Sequence, residues 1–479
     1  MNFTTVKPKG SLSMKNERKY YSPSEIKEIL AKEKNAYFIG IGGVSMSSLA
    51  IIANSSGIKT AGSDRTLSEV TESLQQKGID VQEGHEAKNI KNYSVVVYNA
   101  AIHADNPEYY YAATHNYFMI YRSDFLGYVI SEYGNSIGVA GTHGKSTATA
   151  MIYSILNTAG LDPTVMNGAV IPKIDSQYHI GNGDRIVFEA CEYKDSFLSF
   201  FPTVAVVLNA EYDHADYFEN FDVYIESFKK YLSHSEGGAA CVNFDSPGAK
   251  KAAEDYKGEL YSYGIDCPDV RITAKNIVFS NGHPEFDIYF DNKFYSHVKL
   301  SVFGMHNVYN TLAGAAVAIA CGITDGDVFA RGASSFTGIK RRFEYRTSVN
   351  GAEIYDDYAH HPTEITATLS AARNICTGRL RVVFQSHTYS RTKALFDDFV
   401  SSLSNCDEAI IADIYPARET DTLGMSAQLL SEKIPGGKYV GGFDKIAEYI
   451  KKTAAPNDTV IVMGAGDVNR VIDLLPSAE

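Results

Sequence analysis

The sequence predicts an α/β fold that is divided into three domains. A chain of 479 residues is too long for a single hydrophobic core. Apolar strand-like runs alternate with helical patterns, and a glycine turn follows an apolar strand at three places, "FIGIGGVSM", "GVAGTHGKS" and "VIVMGAGD". We therefore predict an N-terminal extension followed by three domains, a Rossmann-like domain, a phosphate-loop α/β domain and a second Rossmann-like domain, at residues 1–35, 36–134, 135–338 and 339–479.

The composition is that of an ordinary soluble protein with an acidic excess. Lys and Arg total 44 against 57 Asp and Glu, and the net charge is −13. Without a basic stripe, this balance argues against a nucleic-acid partner. No apolar run has the length of a signal peptide or of a membrane span. The cysteines form no Cys-x-x-Cys pair, and we expect free thiols in a cytoplasmic protein at Cys191, Cys241, Cys267, Cys321, Cys376 and Cys406.

The first glycine turn has the pattern of a nucleotide-binding βαβ unit. Gly40 and Gly42 occupy the first two glycine positions of the dinucleotide fingerprint, and Ser45 stands at the third. Asp64 ends the next strand, where an acidic residue often binds a ribose hydroxyl. A tight turn without a ligand is the alternative interpretation of this isolated pattern.

The second glycine turn has the chemistry of a phosphate-binding loop. It lies between an apolar strand and a helical pattern, and only two residues separate Gly141 from Gly144, where the usual loop has four. Backbone N–H groups at a helix N-terminus bind phosphate oxygens, Lys145 can reach the outer phosphates, and the hydroxyl of Ser146 can hold magnesium. The short spacing predicts a tighter loop that keeps every required group. An incidental Gly-Lys-Ser in a plain turn is the alternative.

Two candidate metal ligands follow, each at the end of a predicted strand. Glu189 closes "RIVFE", and His214 follows "TVAVVL" in "NAEYDH". Because the carboxyl ends of parallel strands share one edge of a sheet, both are expected near the phosphate loop. A histidine alone is more often packed or hydrogen-bonded, and magnesium prefers oxygen ligands. Glu192 is a less certain carboxylate that we interpret as facing solvent.

The remaining segments complete the prediction. Residues 286–304, "FDIYFDNKFYSHVKLSVFG", are typical of antiparallel strands, and "SPSEIKEILAKEK" suggests a helical extension before the first domain. The third domain has strand-like runs "AEIYDDY", "LRVVFQSH", "EAIIADIY" and "TVIVMGAG" between helical patterns. Its glycine turn at residues 464–467 is interpreted as mainly structural.

Eight motifs in order carry a family resemblance. They are "GIGGVSM", "GTHGKS", "FEACE", "NAEYDH", "GMHNVYN", "KRRFE", "YDDYAHHPTE" and "FQSHTYSRT". From about residue 36 to its end the chain resembles the Mur ligase family of bacterial cell-wall synthesis. The resemblance implies a UDP-binding N-terminal domain, a central ATPase domain and a Rossmann-like C-terminal domain. It also accounts for the short loop, since these ligases use Gly-x-x-Gly-Lys followed by Thr or Ser.

The resemblance implies an ADP-forming amide ligase that uses ATP and two Mg²⁺ ions. It further implies UDP-N-acetylmuramate and L-alanine as substrates, an acyl-phosphate intermediate, and a role in cytoplasmic peptidoglycan precursor synthesis. A member of the family that attaches a preformed peptide is the nearest alternative. A nicotinamide-dependent oxidoreductase and a non-catalytic UDP-sugar sensor are alternatives from other classes. Oligomeric state has no signal in the sequence.

Residue roles carry over from the family one position at a time. The resemblance implies catalytic roles for Lys145, Glu189, His214, Arg342 and His360, and metal ligation by Ser146, Glu189 and His214. It places ATP against Gly141, Thr142, His143, Gly144, Lys145, Ser146, Thr147, Asn307, Asn310, Arg342 and Asp357. It places the UDP-sugar against Gly40, Gly42, Gly43, Ser47 and Asp64, and it implies that Ser47 opens a helix. It places the amino acid and the muramoyl group against Tyr358, His360 and Arg391. One position departs from the pattern, because Thr388 stands where the family has an arginine.

Overall fold

The computed structural model describes residues 19–214, 217–417 and 419–476. They fall into two compact units, which divide between Val129 and Ile130. Three sheets are present, one in the first unit and two in the second. The predicted α/β fold is confirmed, while the boundaries predicted for three domains stay predictions.

The first unit is a five-stranded parallel sheet with helices between its strands, in the order β3-β2-β1-β4-β5. Its elements are α1 (Pro23–Glu33), β1 (Asn35–Ile39), α2 (Val44–Ser55), β2 (Lys59–Asp64), α3 (Glu69–Gln76), β3 (Asp80–Glu83), β4 (Val95–Tyr98), α4 (Pro107–Thr114), β5 (Phe118–Tyr121) and α5 (Arg122–Ser131), whose last two residues belong to the second unit. Strand β1 is central and four of its five residues are buried. The glycine turn that follows it therefore lies at the carboxyl edge of the sheet, where parallel sheets bind ligands.

Helix α1 confirms the helical segment expected in the N-terminal extension. Ser22 caps it and Pro23 occupies its first turn, while the side chain of Glu25 bonds back to the backbone N–H of Ser22. This reciprocal pair is a capping box, which fixes the start of a helix.

The second unit begins with a ten-stranded sheet in the order β15-β14-β13-β12-β11-β10-β6-β9-β7-β8. Its strands are β6 (Asn135–Ala140), β7 (Thr164–Ile171), β8 (Ser176–His179), β9 (Arg185–Glu189), β10 (Val204–Val207), β11 (Ala239–Asn243), β12 (Glu259–Gly264), β13 (Ile272–Ser280), β14 (His283–Phe290) and β15 (Lys293–Lys299). The pairs β13–β14 and β14–β15 are antiparallel, as expected for residues 286–304. The helices of this part are α6 (Lys145–Thr158), α7 (Phe221–Ser233), α8 (Pro247–Ala253), α9 (Met305–Ala320) and α10 (Gly326–Ser334).

Strand β6 organises the site because it lies between β9 and β10 in parallel register. The phosphate loop follows β6, Glu189 ends β9, and the segment that contains His214 follows β10. All three carboxyl ends therefore meet at one edge, as the sequence predicts. Helices α6, α9 and α10 bury their small apolar residues against this sheet, so the loop has a rigid base.

A six-stranded sheet completes the second unit, in the order β16-β17-β21-β18-β19-β20. Its strands are β16 (Glu344–Val349), β17 (Ala352–Asp357), β18 (Leu380–His387), β19 (Glu408–Tyr415), β20 (Gly437–Tyr439) and β21 (Thr459–Met463), and its helices are α11 (Pro362–Arg373), α12 (Tyr389–Ala394), α13 (Phe396–Leu403), α14 (Ala427–Lys433), α15 (Phe443–Thr453) and α16 (Arg470–Asp473). Only β16 is antiparallel to its neighbour. The last strand of the chain, β21, lies between β17 and β18.

All six cysteines are free thiols, as expected. Within the described ranges, no helix is long and apolar enough to cross a membrane.

Candidate active site

The phosphate loop folds as a tight glycine turn that leads into α6. Gly141 has φ +148° and Gly144 has φ +82°, conformations that residues with a Cβ rarely adopt. Gly144 is the N-cap of α6 and provides no side chain there. The Asn209 side chain braces the loop, because its Oδ1 accepts from the N–H of His143 and its Nδ2 donates to the carbonyl of His143. Thr142 is bonded through its hydroxyl to the backbone of Glu211.

Lys145 lies inside this turn and makes four contacts. Its Nζ donates to the carbonyls of Gly141 and Thr142, at 2.5 and 3.1 Å, and to both carboxylate oxygens of Glu192, at 3.2 and 3.0 Å. Burial alone would lower the pKa of Lys145, but the carboxylate of Glu192 more than offsets it and the pKa is raised. The ammonium group is therefore a fixed positive charge at the start of a helix.

Glu192 joins the loop to the candidate metal-ligand histidine. Its side chain is 1% exposed, and Oε1 lies 3.3 Å from Nε2 of His214. Our interpretation of Glu192 as solvent-facing is wrong. The 3₁₀ segment that follows it contains Lys194 and Asp195 at positive φ, and that irregular backbone gave no periodic signal in the sequence.

Glu189 and Ser146 face one point beside the backbone of Gly168. A Cβ built on Gly168 would lie 2.8 Å from Oε1 of Glu189 and 3.2 Å from Oγ of Ser146. The N–H of Gly168 also donates to Oε1 of Glu189. Carboxylate and hydroxyl oxygens are ligands that Mg²⁺ prefers, so these residues fit a magnesium ion.

A cavity of about 1000 Å³ opens beside the loop. Its wall combines residues of the phosphate loop and α9 with residues of the six-stranded sheet, and the sequence-predicted nucleotide residues among them are His143, Gly144, Thr147, Asn307, Asn310, Arg342 and Asp357. Aromatic side chains also line the cavity, including Tyr263, Phe303, Tyr309 and Phe343. A cavity with a charged loop at one side and aromatic walls elsewhere suits a nucleotide.

Asn307 and Asn310 lie one turn apart on α9, with their side chains bonded to each other. Nδ2 of Asn310 donates to Oδ1 of Asn307 at 3.0 Å, and Nδ2 of Asn307 donates to the carbonyl of Phe303. Both residues are at least 93% buried. The amide pair therefore presents a fixed polar edge to the cavity.

Arg342 and Asp357 bring the six-stranded sheet to the cavity. Nη1 of Arg342 lies 3.4 Å from Oε1 of Glu364. The carboxylate of Asp357 accepts from the N–H groups of Phe343 and Ala359, at 2.8 and 2.7 Å. Burial raises the pKa of Asp357 to about 6 against the opposing charge of Arg342.

His360 and Tyr358 lie beside this pair. Burial lowers the pKa of His360 to about 4, so its imidazole is neutral at pH 7. Nδ1 of His360 lies 3.1 Å from the carbonyl of Tyr358, and the ring of Tyr358 packs beneath the guanidinium groups of Arg341 and Arg342. A neutral histidine next to two cations can donate or accept a hydrogen bond without adding charge.

Arg391 is ion-paired with Asp213 across the two sheets, at 3.4 Å. Thr388 has φ +65° and caps α12, with its Oγ1 accepting from the N–H of Arg391. Thr388 therefore serves as a helix cap. Arg391 is the cation of this segment that contacts the ten-stranded sheet, through Asp213.

The five residues predicted to bind the UDP-sugar lie in or beside the glycine turn of the first unit. The N–H of Gly42 donates to Oδ2 of Asp64 at 2.8 Å, and Gly40 has φ +74°. Helix α2 begins at Val44 with Gly43 as its cap. Ser47 does not open the helix as expected, because its N–H is bonded to the carbonyl of Gly43 within the first turn.

Glu364 is a site residue that our sequence reasoning missed. It lies in the first turn of α11, where Oε1 contacts Arg342 and lies 3.4 Å from Nδ1 of His143, and Oε2 accepts from the N–H of His360. The side chain is 11% exposed. It stands in the quoted motif "HHPTE", but its importance depends on packing of α11 against a loop far away in sequence.

Family models match three stretches of the chain. They are described as the Mur ligase family catalytic domain, the Mur ligase middle domain and the Mur ligase glutamate ligase domain, at residues 35–133, 139–318 and 341–466. Similar curated proteins include a UDP-N-acetylmuramate–L-alanine ligase of Clostridium novyi, 41% identical over 93% of this chain and 98% of that protein. Another is the UDP-N-acetylmuramate–L-alanine ligase of Caldicellulosiruptor saccharolyticus, 41% identical over 92% of this chain and 97% of that protein.

Solved structures give the same result. The UDP-N-acetylmuramate–alanine ligase of Thermotoga maritima matches with a TM-score of 0.77 and 25% identity, over 91% of this chain and 97% of that one. A murein peptide ligase of Psychrobacter arcticus shares the fold, with a TM-score of 0.67 and 22% identity over 92% of this chain and 98% of that one. Together the fold, the phosphate loop and these matches define a ligase of the Mur type. The chain belongs to the Mur ligase family.

Proposed function

We propose that the protein is an ADP-forming ligase that joins L-alanine to the carboxylate of UDP-N-acetylmuramate, in peptidoglycan precursor synthesis in the cytoplasm. The observation that carries the proposal is the partly buried Lys145 inside a phosphate-binding turn whose neighbouring residues, His143, Gly144 and Thr147, line a cavity of nucleotide size. Similarity to alanine-adding ligases over more than nine-tenths of the chain supports the choice of substrates.

The phosphate loop and the cavity suit ATP. The N-terminus of α6 and the ammonium of Lys145 favour the outer phosphates, and the aromatic side chains that line the cavity suit a purine. We assign to Asp357, which lines the cavity, the role of accepting from a ribose hydroxyl, and Arg342 adds a second cation at the same cavity. We assign the UDP-sugar to the turn of the first unit, with Gly40, Gly42, Gly43, Ser47 and Asp64 as its residues.

The reaction has two steps. A carboxylate oxygen of the muramoyl group attacks the γ-phosphorus of ATP, which forms an acyl phosphate and releases ADP. The amine of L-alanine then attacks the acyl carbon, loses a proton and expels phosphate, which leaves the amide. Lys145 and Arg342 stabilise the charge that develops on the transferred phosphoryl group.

Ser146, Glu189 and His214 would hold Mg²⁺, and bound Mg²⁺ neutralises phosphate charge so that two anions can approach. Glu192 keeps Lys145 and His214 in place through its two carboxylate oxygens. Tyr358, His360 and Arg391 are assigned to the amino-acid and muramoyl side, where Arg391 serves without the first arginine of the family pattern, which is Thr388 here.

ADP release measured with UDP-N-acetylmuramate tests the proposal. We expect ADP when ATP, Mg²⁺ and L-alanine are all present, and far less when L-alanine is replaced by glycine, L-serine or a preformed tripeptide. Turnover with the tripeptide alone would identify a peptide-adding ligase, the nearest alternative in the family. Oxidation of NADH without formation of ADP would contradict any ligase.

A further inference from the structure

A second group of possible metal-binding side chains lies at the mouth of the phosphate loop. His143 is in the loop, Glu211 follows β10, and His361 is the N-cap of α11. Each offers one ligand atom, and these three atoms lie within 4.8 Å of one another. We call this set the His143 cluster. It joins the ten-stranded sheet to the six-stranded sheet, and none of its members is a predicted magnesium ligand.

The two nitrogens of His143 have different neighbours. Nε2 lies 3.6 Å from Oε2 of Glu211, whereas Nδ1 lies 3.4 Å from Oε1 of Glu364. In metal sites a ligating histidine commonly donates its other ring N–H to a carboxylate, which fixes the tautomer and the ring. Glu364 stands in that outer position, and Glu211 stands on the ligating side.

The cluster also contains buried ring nitrogens without a hydrogen bond. Within the part of the chain that the structure describes, Nε2 of His143 is ion-paired with Glu211 at 3.6 Å without forming a hydrogen bond, and Nδ1 of His361 has no hydrogen-bond partner. His361 is 9% exposed, and its ring lies 4.7 Å from that of His143, centroid to centroid. Buried polar atoms without partners are rare in folded proteins, so each calls for a ligand or another explanation.

The donor set differs from that at Ser146 and Glu189. Two imidazoles and one carboxylate suit Zn²⁺ and similar transition metals, which take three protein ligands and a fourth from solvent or substrate. Mg²⁺ prefers oxygen ligands, so it favours the side of the loop where Ser146 and Glu189 supply oxygens beside His214.

We propose that His143, Glu211 and His361 form a binding site for a divalent transition-metal ion of the Zn²⁺ type. An ion bound there ties the phosphate loop to the first turn of α11 and so restrains the two sheets against each other. His143 and Glu211 also line the nucleotide cavity, and restraint at its wall slows nucleotide entry and exit. Binding of the ion itself does not depend on the substrates assigned above.

Visible absorption of Co²⁺ added to the full chain, without nucleotide or Mg²⁺, tests the site. We expect one equivalent to give the spectrum of a four- or five-coordinate ion with nitrogen and oxygen ligands, without the intense bands of thiolate ligation, and Zn²⁺ to displace it. The variants His361→Ala and Glu211→Gln should each lower the affinity at least as far as the roughly 10- to 100-fold cost of losing an outer carboxylate. Glu364→Gln should lower it within that range.

Two controls separate this site from other histidines. His297 is exposed between Asp287 and Glu285, so His297→Ala removes a histidine with two carboxylate neighbours and should leave Co²⁺ affinity unchanged. His214→Ala removes the candidate reaction-metal ligand and should also retain the Co²⁺ spectrum.

Folding of each variant is checked by far-UV circular dichroism, and either ligand variant alone suffices for the test. Unchanged Co²⁺ affinity in a folded His361→Ala or Glu211→Gln protein would overturn the proposal. So would loss of the spectrum in His214→Ala with retention in His361→Ala, since the ion would then occupy the reaction-metal side.

Discussion

The first two glycine turns of this protein follow the same kind of strand, but the side chains bonded to them differ in charge. Each follows a strand with a parallel neighbour on both sides and opens a helix whose N-cap is glycine, Gly43 in the first unit and Gly144 in the second. In the first, the N–H of Gly42 is bonded to the carboxylate of Asp64. In the second, the ammonium of Lys145 is bonded to the carbonyls of the loop and to Glu192.

We interpret this difference as one between a turn that binds its ligand and a turn that takes part in the reaction. Backbone N–H groups and a helix dipole are enough to hold a diphosphate that does not change during a reaction. A transferred phosphoryl group gains charge on its oxygens in the transition state, and a fixed cation then lowers the barrier. We therefore expect substitutions in the first turn to change affinity and substitutions in the second to change rate.

The largest expected effect is that of Lys145→Ala. Loss of this cation should lower the rate of ADP formation by about 100- to 1000-fold and leave the affinity for UDP-N-acetylmuramate unchanged. Steady-state ADP release and calorimetric binding of the sugar nucleotide measure the two. Near-normal ADP release would contradict the assignment of the loop.

Two further proteins control that experiment. Lys251→Ala removes a lysine whose partner, Asp222, is exposed, and should not change the rate. Lys145→Ala leaves Glu192 buried without its main partner, which should cost about 3–5 kcal/mol of stability. Adding Glu192→Gln should restore stability, measured by thermal unfolding, but not activity.

Glu189→Ala and His214→Ala come next, each with a loss of about 100-fold in ADP formation. Residues that serve one metal–phosphate group act as a unit, so the double variant should be about as slow as the slower single variant. A double-mutant cycle on the rate measures the coupling. Full additivity would mean that Glu189 and His214 serve two independent sites.

Asp64→Asn should have a smaller effect, and it should change the affinity for the sugar nucleotide and not the rate. Asparagine keeps one acceptor for the N–H of Gly42 but loses the charge, so we expect the dissociation constant of UDP-N-acetylmuramate to rise about tenfold, within the range for hydrogen bonds to charged groups. The rate at saturating substrate should stay the same. A fall in that rate without a change in affinity would contradict the comparison of the two turns.

The smallest effect concerns the pH dependence of nucleotide binding. The folded pKa of Asp357 is raised to about 6, so the carboxylate is present above that pH and is lost as the pH falls through it. A ribose hydroxyl donates more strongly to the charged form, and ATP affinity should fall about fivefold below pH 6, a difference of roughly 1 kcal/mol. Titration calorimetry between pH 5 and pH 8, about one to two units on either side of that pKa, measures this change. Asp357→Asn should bind with no such dependence on pH.

Local residues of the site could be predicted from sequence, and residues that depend on distant packing could not. Gly141, Gly144, Lys145 and Ser146 lie within one short stretch of the chain, so one strand and one helix fix their arrangement. Glu189 was predictable from the rule that parallel strands end at one edge.

Glu192 and Glu364 show where sequence reasoning fails. The orientation of Glu192 is set by a 3₁₀ segment with two residues at positive φ, which has no hydrophobic period. Glu364 reaches His143 only because α11 packs beside a loop of another sheet. A sequence pattern within α11 contains no information about which distant loop the helix packs against.

The position of β21 has a consequence for synthesis of the chain. Translation delivers Thr459–Met463 after every other strand, yet this strand lies between β17 and β18. A nascent chain that stops short of it has two unpaired sheet edges, which are prone to aggregate. The N–H of Gly464 also donates to the carbonyl of Asp357 at 3.0 Å. The carboxyl end of β17, which reaches the cavity at Asp357, therefore gains its β21 neighbour only after the segment that contains Gly464 has been synthesised.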